Sequence, residues 1–410
     1  MNKRKWYSLY DKVYALSALE RAWQHVRAKK GAGGVDGESI AQFEAQAPMH
    51  LAELQRLLRE KRYHPSAVRR VYIPKGNGER RPLGIPTIRD RVVQQALRQV
   101  LEPIFEPLFH EHSYGFRPSR TAHDALATVC TALESEKRWI VDIDRRKYFD
   151  TVNHELLLDA INEEISDGGI LRLIRMFLEA GVLEDGVRST TEEGTPQGGV
   201  ISPLLANIYL NHLDWAMSAS GYQVVRYADD MVIPCASAEE AAMALSATRS
   251  ILEGRLHLAL HPEKTRIVDH ETESFEFLGF FIHRKYLHPR KKSVEAFKSR
   301  VRYLTRRQQP RNLQMVISHL NPVVRGFMNY FFLANMKRLS ERLDGWIRMR
   351  LRCFIEKKRA VKHQNRRISN RFLTEAGLVS LLSLYDNAAV LPATGQPYRK
   401  AVYGKSVRTV

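Results

Sequence analysis

The sequence predicts an α+β chain in which short antiparallel strands carry the chemistry and helices surround them. Three observations predict it. Val224-Val225-Arg226-Tyr227-Ala228-Asp229-Asp230-Met231-Val232-Ile233 reads as a β-hairpin, with strands at about 223–227 and 231–235 and two adjacent carboxylates at its tip. Trp139-Ile140-Val141-Asp142-Ile143-Asp144 alternates as a strand, placing Asp142 and Asp144 on one face and Ile143 on the other. Helical periodicity fills both ends of the chain, at residues 1–64 and from about 284 onward.

At 410 residues the chain has room for two or three domains, each able to bury a core. Its hydrophobic share of 44% suits a soluble globular protein, and no apolar run approaches the ~18 residues of a transmembrane helix. The basic start Met1-Asn2-Lys3-Arg4-Lys5-Trp6 has no apolar stretch behind it, which argues against a signal peptide. A net charge of +19 and a pI near 9.9 predict a polyanionic partner, nucleic acid before membrane. Cys130, Cys235 and Cys353 lie far apart. That excludes a disulfide framework and a Cys-pair zinc site, and it fits a reducing cytoplasm.

In the first 64 residues, Leu16, Leu19, Trp23 and Val26 form one apolar stripe. Phe43, Leu51, Leu54, Leu57 and Leu58 form another. The loop between them, Lys29-Lys30-Gly31-Ala32-Gly33-Gly34-Val35-Asp36-Gly37, follows no strand and lacks the Lys-Ser/Thr of a phosphate loop. It reads as a tight turn with Gly at positive φ. Val68-Arg69-Arg70-Val71-Tyr72-Ile73-Pro74 and the run from Arg80 to Thr87 flank Lys75-Gly76-Asn77-Gly78-Glu79, and Asn-Gly between strand-like runs predicts a hairpin. Lys75 near its tip and Arg80-Arg81 on the return strand can close cations onto a triphosphate. Solvated charge is the plainer alternative. A helix at 88–106 and Ser113-Tyr114-Gly115-Phe116-Arg117-Pro118 follow; Arg117 either holds a nucleic-acid backbone or braces the fold.

Helices are expected at about 153–165 and 169–180, then a hairpin turning at Glu184-Asp185-Gly186. In Gly194-Thr195-Pro196-Gln197-Gly198-Gly199-Val200-Ile201-Ser202-Pro203-Leu204-Leu205-Ala206-Asn207, the paired glycines permit close approach of a ligand and Gln197 offers an amide just ahead of a helix. A supporting amphipathic helix spans 238–254, Lys264 reads as a charged strand end, and Phe275-Glu276-Phe277-Leu278-Gly279-Phe280 reads as a core strand. From Arg284 to Arg367 about two dozen Lys and Arg face four acids, on helices whose apolar stripes leave basic faces outward. Asn321-Pro322 within this stretch reads as a helix start.

Two adjacent acids among apolar neighbours are costly to ionise unless a cation compensates, and Mg²⁺ takes carboxylate oxygens together with substrate phosphates. A bare Asp-Asp is more often a solvated turn. Tyr227-Ala228 before the pair and the acidic strand upstream make the signal far more specific. One carboxylate of that strand plus the hairpin pair makes a two-metal site for in-line nucleotidyl transfer.

On these motifs the chain resembles the reverse transcriptases, and in particular the group II intron-encoded reverse transcriptase/maturases, over about residues 20–370. Tyr227-Ala228-Asp229-Asp230, the Gln197-Gly198 run into Ser202-Pro203-Leu204-Leu205, Ser113-Tyr114-Gly115-Phe116-Arg117-Pro118 and Asn321-Pro322-Val323-Val324-Arg325-Gly326-Phe327-Met328-Asn329-Tyr330-Phe331 carry the resemblance. It implies a right-hand polymerase. An N-terminal extension and fingers occupy 1–136, a palm with an antiparallel sheet 137–283, and a helical thumb or maturase domain 284–370. A basic tail at 371–410, without a family match, is either DNA-contacting or disordered. The activity implied is RNA-directed DNA polymerisation by primer extension, together with binding of group II intron RNA for splicing and retrohoming. Asp144, Asp229 and Asp230 are then the catalytic carboxylates, holding two Mg²⁺ ions with the backbone carbonyl of Arg145. Lys75, Arg81, Phe149, Gln197 and Lys264 face the incoming dNTP, with Phe149 filling the space a ribose 2′-OH needs. Arg117, Gly198 and Arg325 contact nucleic acid. The implied partners are an RNA template, a DNA primer or target and dNTPs, with no membrane, for a monomer or homodimer in the bacterial cytoplasm, nucleoid-associated when acting on DNA. The cysteine count speaks against a zinc-stabilised endonuclease domain.

Two other readings stay open on the sequence. One is a domesticated group II-like polymerase free of any intron, serving repair or phage defence. The other is an RNA-binding splicing factor with a vestigial polymerase, against which the intact acidic motifs argue.

Overall fold

The computed structural model describes residues 5–74, 80–143, 151–184, 186–189, 194, 198–359 and 367–390. Lys75, Asp144, Arg145, Phe149 and Gln197, and the tail beyond 390, lie outside the described residues. The chain divides into two compact units, Met1–Ala125 with Val141–Ile267, and Leu126–Ile140 with Val268–Val410.

The first unit opens with α1 (Tyr10–Tyr14), α2 (Leu16–Ala28), α3 (Ile40–Ala45) and α4 (Ala47–Arg59). Leu19, Trp23 and Val26 of α2 and Leu51, Leu54 and Leu58 of α4 are buried at helical spacing, while Leu16, at the first position of its helix, stays 40% exposed. The glycine loop between α2 and α3 is pinned from behind. Arg69 Nη2 donates to the Gly33 carbonyl at 2.7 Å, and Arg91 donates to the carbonyls of Ala32 and Pro86. A Cβ on Gly34 would sit 2.6 Å from the Thr87 backbone, so glycine there serves close packing.

β1 (Val68–Pro74) and β2 (Arg80–Ile85) pair antiparallel, from Arg69 opposite Ile85 to Pro74 opposite Arg80. Thr87 caps α5 (Ile88–Phe105) by accepting from the Asp90 N–H at 3.1 Å. After α6 (Ala122–Glu134) come β3 (Trp139–Ile143), α7 (His154–Asn162) and α8 (Gly168–Leu178), then β4 (Val182–Glu184) and β5 (Val187–Ser189). The sheet order β2-β1-β4-β5 includes a parallel pairing of β1 with β4, so this sheet is mixed. α9 (Ser202–Ala219) is buried nearly all round, as its apolar composition demands, and carries Asn207 and Asp214 inward. β6 (Val225–Tyr227) and β7 (Asp230–Cys235) form the expected hairpin with a shorter first strand. α10 (Ala238–Arg249) runs into a π-helical turn, Ser250–Arg255, in place of a single regular helix. β8 (Arg266–Asp269) completes a second sheet, of order β6-β7-β3-β8.

The second unit has a sheet of order β11-β10-β9, from β9 (Phe275–Phe277), β10 (Phe280–His283) and β11 (Tyr286–Pro289). Helices α11 (Lys291–Leu304), α12 (Leu313–Phe331), α13 (Lys337–Ile355), α14 (Asn370–Glu375) and α15 (Leu381–Val390) follow. α12 corrects one expectation. It starts at its Asn312 cap, which accepts from Met315 N–H at 2.8 Å, and runs unbroken through Pro322. An interior proline costs about 3 kcal/mol. Continuing the helix buries Val324, Met328 and Phe331, each worth roughly 1.5–3 kcal/mol. Burial wins, and the Asn321 side chain bonds Gly377 and Val379 rather than capping its own helix.

All three cysteines are buried. Among the described residues no helix is long and apolar enough to cross a membrane.

Candidate active site

The β6–β7 hairpin pairs Val225 with Val232, Arg226 with Met231 and Tyr227 with Asp230, leaving Ala228 and Asp229 as a two-residue turn. Ala228 takes φ 58, a left-handed conformation that L residues rarely adopt and that costs on the order of 1–2 kcal/mol. Asp229 is half-buried and Asp230 exposed at the start of β7, so both carboxylates reach the surface. β7 is the sheet neighbour of β3, the strand that leads into Asp144.

The strained turn is held from inside by Arg226, a residue the sequence reading passed over. Its side chain is fully buried. Nε donates to Asp214 Oδ1 at 2.9 Å, and Nη2 to Asp214 Oδ2 at 2.5 Å and Ser113 Oγ at 2.7 Å. Nη1 donates to Asn207 Oδ1 at 2.9 Å and to the carbonyl of Ala228 itself at 3.1 Å. Asn207 Nδ2 in turn donates to the Gly115 carbonyl at 2.8 Å. The Ser113–Gly115 stretch runs along β6, with Arg226 N–H donating to His112 at 3.0 Å and Tyr114 N–H donating to Arg226 at 2.8 Å. A Cβ on Gly115 would lie 2.2 Å from the Ala228 nitrogen. Three separate sequence motifs therefore converge on the back of one turn. A signal for this was available: an arginine inside the apolar run Val224-Val225-Arg226 needs a buried partner, because a lone buried charge is prohibitive.

The loop ahead of α9 is anchored at its described ends. His154 Nε2 lies 2.7 Å from the Gly194 carbonyl, Gly194 N–H donates to Val152, and Val200 N–H donates to Gln94 Oε1 at 2.7 Å. Gly198, at φ 114, presses its backbone onto the Gly84 carbonyl, where a Cβ would come within 2.4 Å. That packing by itself requires a glycine.

Arg117 takes the bracing position, one of the two roles expected for it. Its guanidinium is buried and turned inward, donating to the Glu106 carboxylate at 2.9 Å, to the His110 and Ser113 carbonyls at 2.7 and 2.8 Å, and to the Glu106 carbonyl at 3.3 Å. With its donors so engaged it braces the Ser113–Pro118 motif. Arg81 is exposed on β2 opposite Ile73, Lys264 is exposed in the turn before β8, and Arg325 is exposed on α12 of the second unit. Asp142 is half-buried with the Arg266 Nε 3.6 Å from its carboxylate, which gives that acid a cationic partner.

Among the described residues no three of His, Cys, Asp and Glu come together as a metal-binding group. The donors that the hairpin does present, two adjacent carboxylates, are hard oxygen ligands with neither sulfur nor imidazole beside them in sequence. Such a set suits a hard cation such as Mg²⁺.

Comparison with known proteins matches residues 73–282 to the family model "Reverse transcriptase (RNA-dependent DNA polymerase)" and residues 294–372 to "Group II intron, maturase-specific domain". Protein YkfC of Escherichia coli is 39% identical over 62% of this chain and 76% of its own length. The group II intron-encoded protein LtrA of Lactococcus lactis is 42% identical over 47% of this chain, which spans 32% of that longer protein. Among solved structures, apo telomerase from Candida Tropicalis matches over 60% of each chain at 14% identity with a TM-score of 0.46. The chain belongs to the reverse transcriptase family, in the lineage of group II intron-encoded proteins: an RNA-directed DNA polymerase carrying a maturase-specific domain.

Proposed function

We propose that the Asp229–Asp230 turn, together with Asp144, is the catalytic centre of primer extension on an RNA template, and that the RNA bound in the cell is a group II intron. The observation that carries this is the turn itself. Two carboxylates are presented at the surface on a strained backbone that a buried arginine holds by the Ala228 carbonyl, beside the strand leading to Asp144. Preorganised charge of this kind supplies much of the acceleration in phosphoryl transfer.

Asp144, Asp229 and Asp230, with the Arg145 carbonyl, would hold two Mg²⁺ ions, whose charge when bound acidifies the attacking hydroxyl and stabilises the leaving pyrophosphate. The primer 3′-hydroxyl attacks the dNTP α-phosphate. Arg81 and Lys75, on the β1–β2 hairpin, and Lys264 contribute positive charge to the triphosphate. Gln197 orients the template–nucleotide pair and Phe149 excludes a ribose 2′-OH. Arg325 serves nucleic acid along the outer face of α12. Fingers, palm and thumb take the boundaries expected above, at 136/137, 283/284 and 370/371.

The test is extension of a DNA primer on an RNA template with dNTPs and Mg²⁺, comparing wild type with Asp229→Ala. Extension by the wild type that the variant loses supports the assignment; equal extension by both overturns it. Splicing of a group II intron precursor with and without the protein tests the maturase half, and absence of stimulation sinks that half alone.

A further inference from the structure

The second unit contains a cavity of about 1090 Å³ walled by β11, α11 and the N-terminal half of α13. Its chemistry is two-sided. Lys291, Lys298 and Arg302 come from α11, and Lys337, Arg338 and Arg342 from α13. Glu295 is the one carboxylate among the lining residues, and it is already engaged by Lys298 at 2.9 Å and Arg302 at 3.7 Å. The cations of α13 are therefore left facing the cavity in excess. Between the charged walls are flat rings. Tyr286 is 46% exposed and lies nearly parallel to His288, with centroids 6.5 Å apart and planes 16° from each other. Trp346 lines the same cavity from α13, with the Arg302 guanidinium 5.7 Å from its ring centroid.

A pocket for an apolar ligand has no use for six cations. A groove that merely tracks a phosphate backbone has no use for exposed aromatic faces. Cations and exposed rings together suit a nucleotide whose base has left its helix: the base stacks on an aromatic face while flanking phosphates take the charge.

We propose that this cavity receives an unpaired nucleotide of the RNA bound by the maturase-specific segment. Its base rests against Tyr286 and Trp346, and its neighbouring phosphates lie on Lys337, Arg338 and Arg342. The commitment to RNA rests on the reading of this segment as the intron-binding part, since residues 294–372 match the maturase-specific model. The cavity adds which structural feature of an RNA is recognised: a bulge or loop base, not a regular duplex.

The experiment uses the full-length protein and a short RNA hairpin carrying one bulged 2-aminopurine, with a fully paired hairpin and a DNA hairpin of the same bulge as controls. The wild type is expected to bind the bulged RNA about 10-fold tighter than the paired one and to quench the probe. Tyr286→Ala, at an exposed position, is expected to abolish that preference and the quench while leaving binding of the paired hairpin unchanged, and Tyr286→Phe to restore both. Lys337→Ala with Arg338→Ala is expected to weaken bulged RNA more than paired RNA. Equal binding of bulged and paired RNA by the wild type, or equal losses on both in Tyr286→Ala, overturns the proposal. Equal preference for the bulged DNA overturns the assignment to RNA. Primer extension measured on the same preparations keeps the two readings apart, because loss of extension defeats the polymerase assignment without touching the bulge preference.

Discussion

Arg226 and Asp214 form a bidentate ion pair with side chains 0% and 2% exposed, and the same guanidinium donates to the carbonyl of Ala228, the residue before Asp229. The pair thus ties helix α9 to the turn that carries both acids. Removing one partner of a buried pair leaves the other charge uncompensated, so Arg226→Ala should lose about 3–5 kcal/mol of unfolding free energy. Arg226→Lys should lose nearly as much, because an ammonium cannot span Asp214, Asn207, Ser113 and the Ala228 carbonyl together. Urea unfolding, with exposed Arg325→Ala as the control, measures this.

Gly115 gives a sharper test of the turn alone. Its missing Cβ leaves room for the Ala228 nitrogen, a backbone atom that no rotamer change can move aside. Gly115→Ala should displace the turn and abolish primer extension while RNA binding, read by filter retention, stays near the wild-type level.

Ala228 pays for its φ of 58 with conformational strain that glycine would not feel. Ala228→Gly should raise unfolding free energy by about 1 kcal/mol. Ala228→Val should lower it, since a β-branched side chain tolerates that region least. Thermal unfolding of the two variants side by side decides it.

Asp167 sets a pH dependence in the first unit. Burial pushes its carboxyl up, but backbone N–H groups of Leu9, Tyr10, Ile170 and Gly169 donate to it, and together they hold it below its ordinary value. A carboxyl lowered in the folded state stabilises the fold above its unfolded pKa, about 3.9, and gives that stability up as pH falls through the folded value. The stability gap between wild type and Asp167→Asn should be full near neutrality and close progressively below about pH 4. Denaturant midpoints across that range follow it.

Much of the candidate site could be read from the chain. The Asp229–Asp230 hairpin, the Lys75–Arg81 hairpin and the helix carrying Ser202-Pro203 announce themselves by local rules: strand alternation, Asn-Gly turns and proline at a helix start. What could not be read was the support. Arg226, Asp214, Asn207 and Ser113 are separated by up to 113 residues, and no local pattern says that their polar atoms meet. Arg117 stayed between two roles for the same reason, since a sequence shows a cation but not the carbonyls around it. Asn321-Pro322 failed differently: a local start signal lies inside a helix that begins at Asn312, and burial further along sustains that helix through the proline.

By itself, then, the sequence determined the residue types and the local elements: which acids stand at a turn, which strands are short, which stretch holds the basic helices. Those depend on neighbours within a few positions, and periodicity and turn chemistry report them directly. Only the tertiary structure decided which charges are scaffold and which face outward. Arg226 and Arg325 are the same residue type, yet one is sealed behind the Ala228 carbonyl and the other lies exposed on α12. The difference is desolvation, set by atoms far away in the chain, and it separates the buried arginine that shapes the turn from the surface arginine proposed to meet nucleic acid.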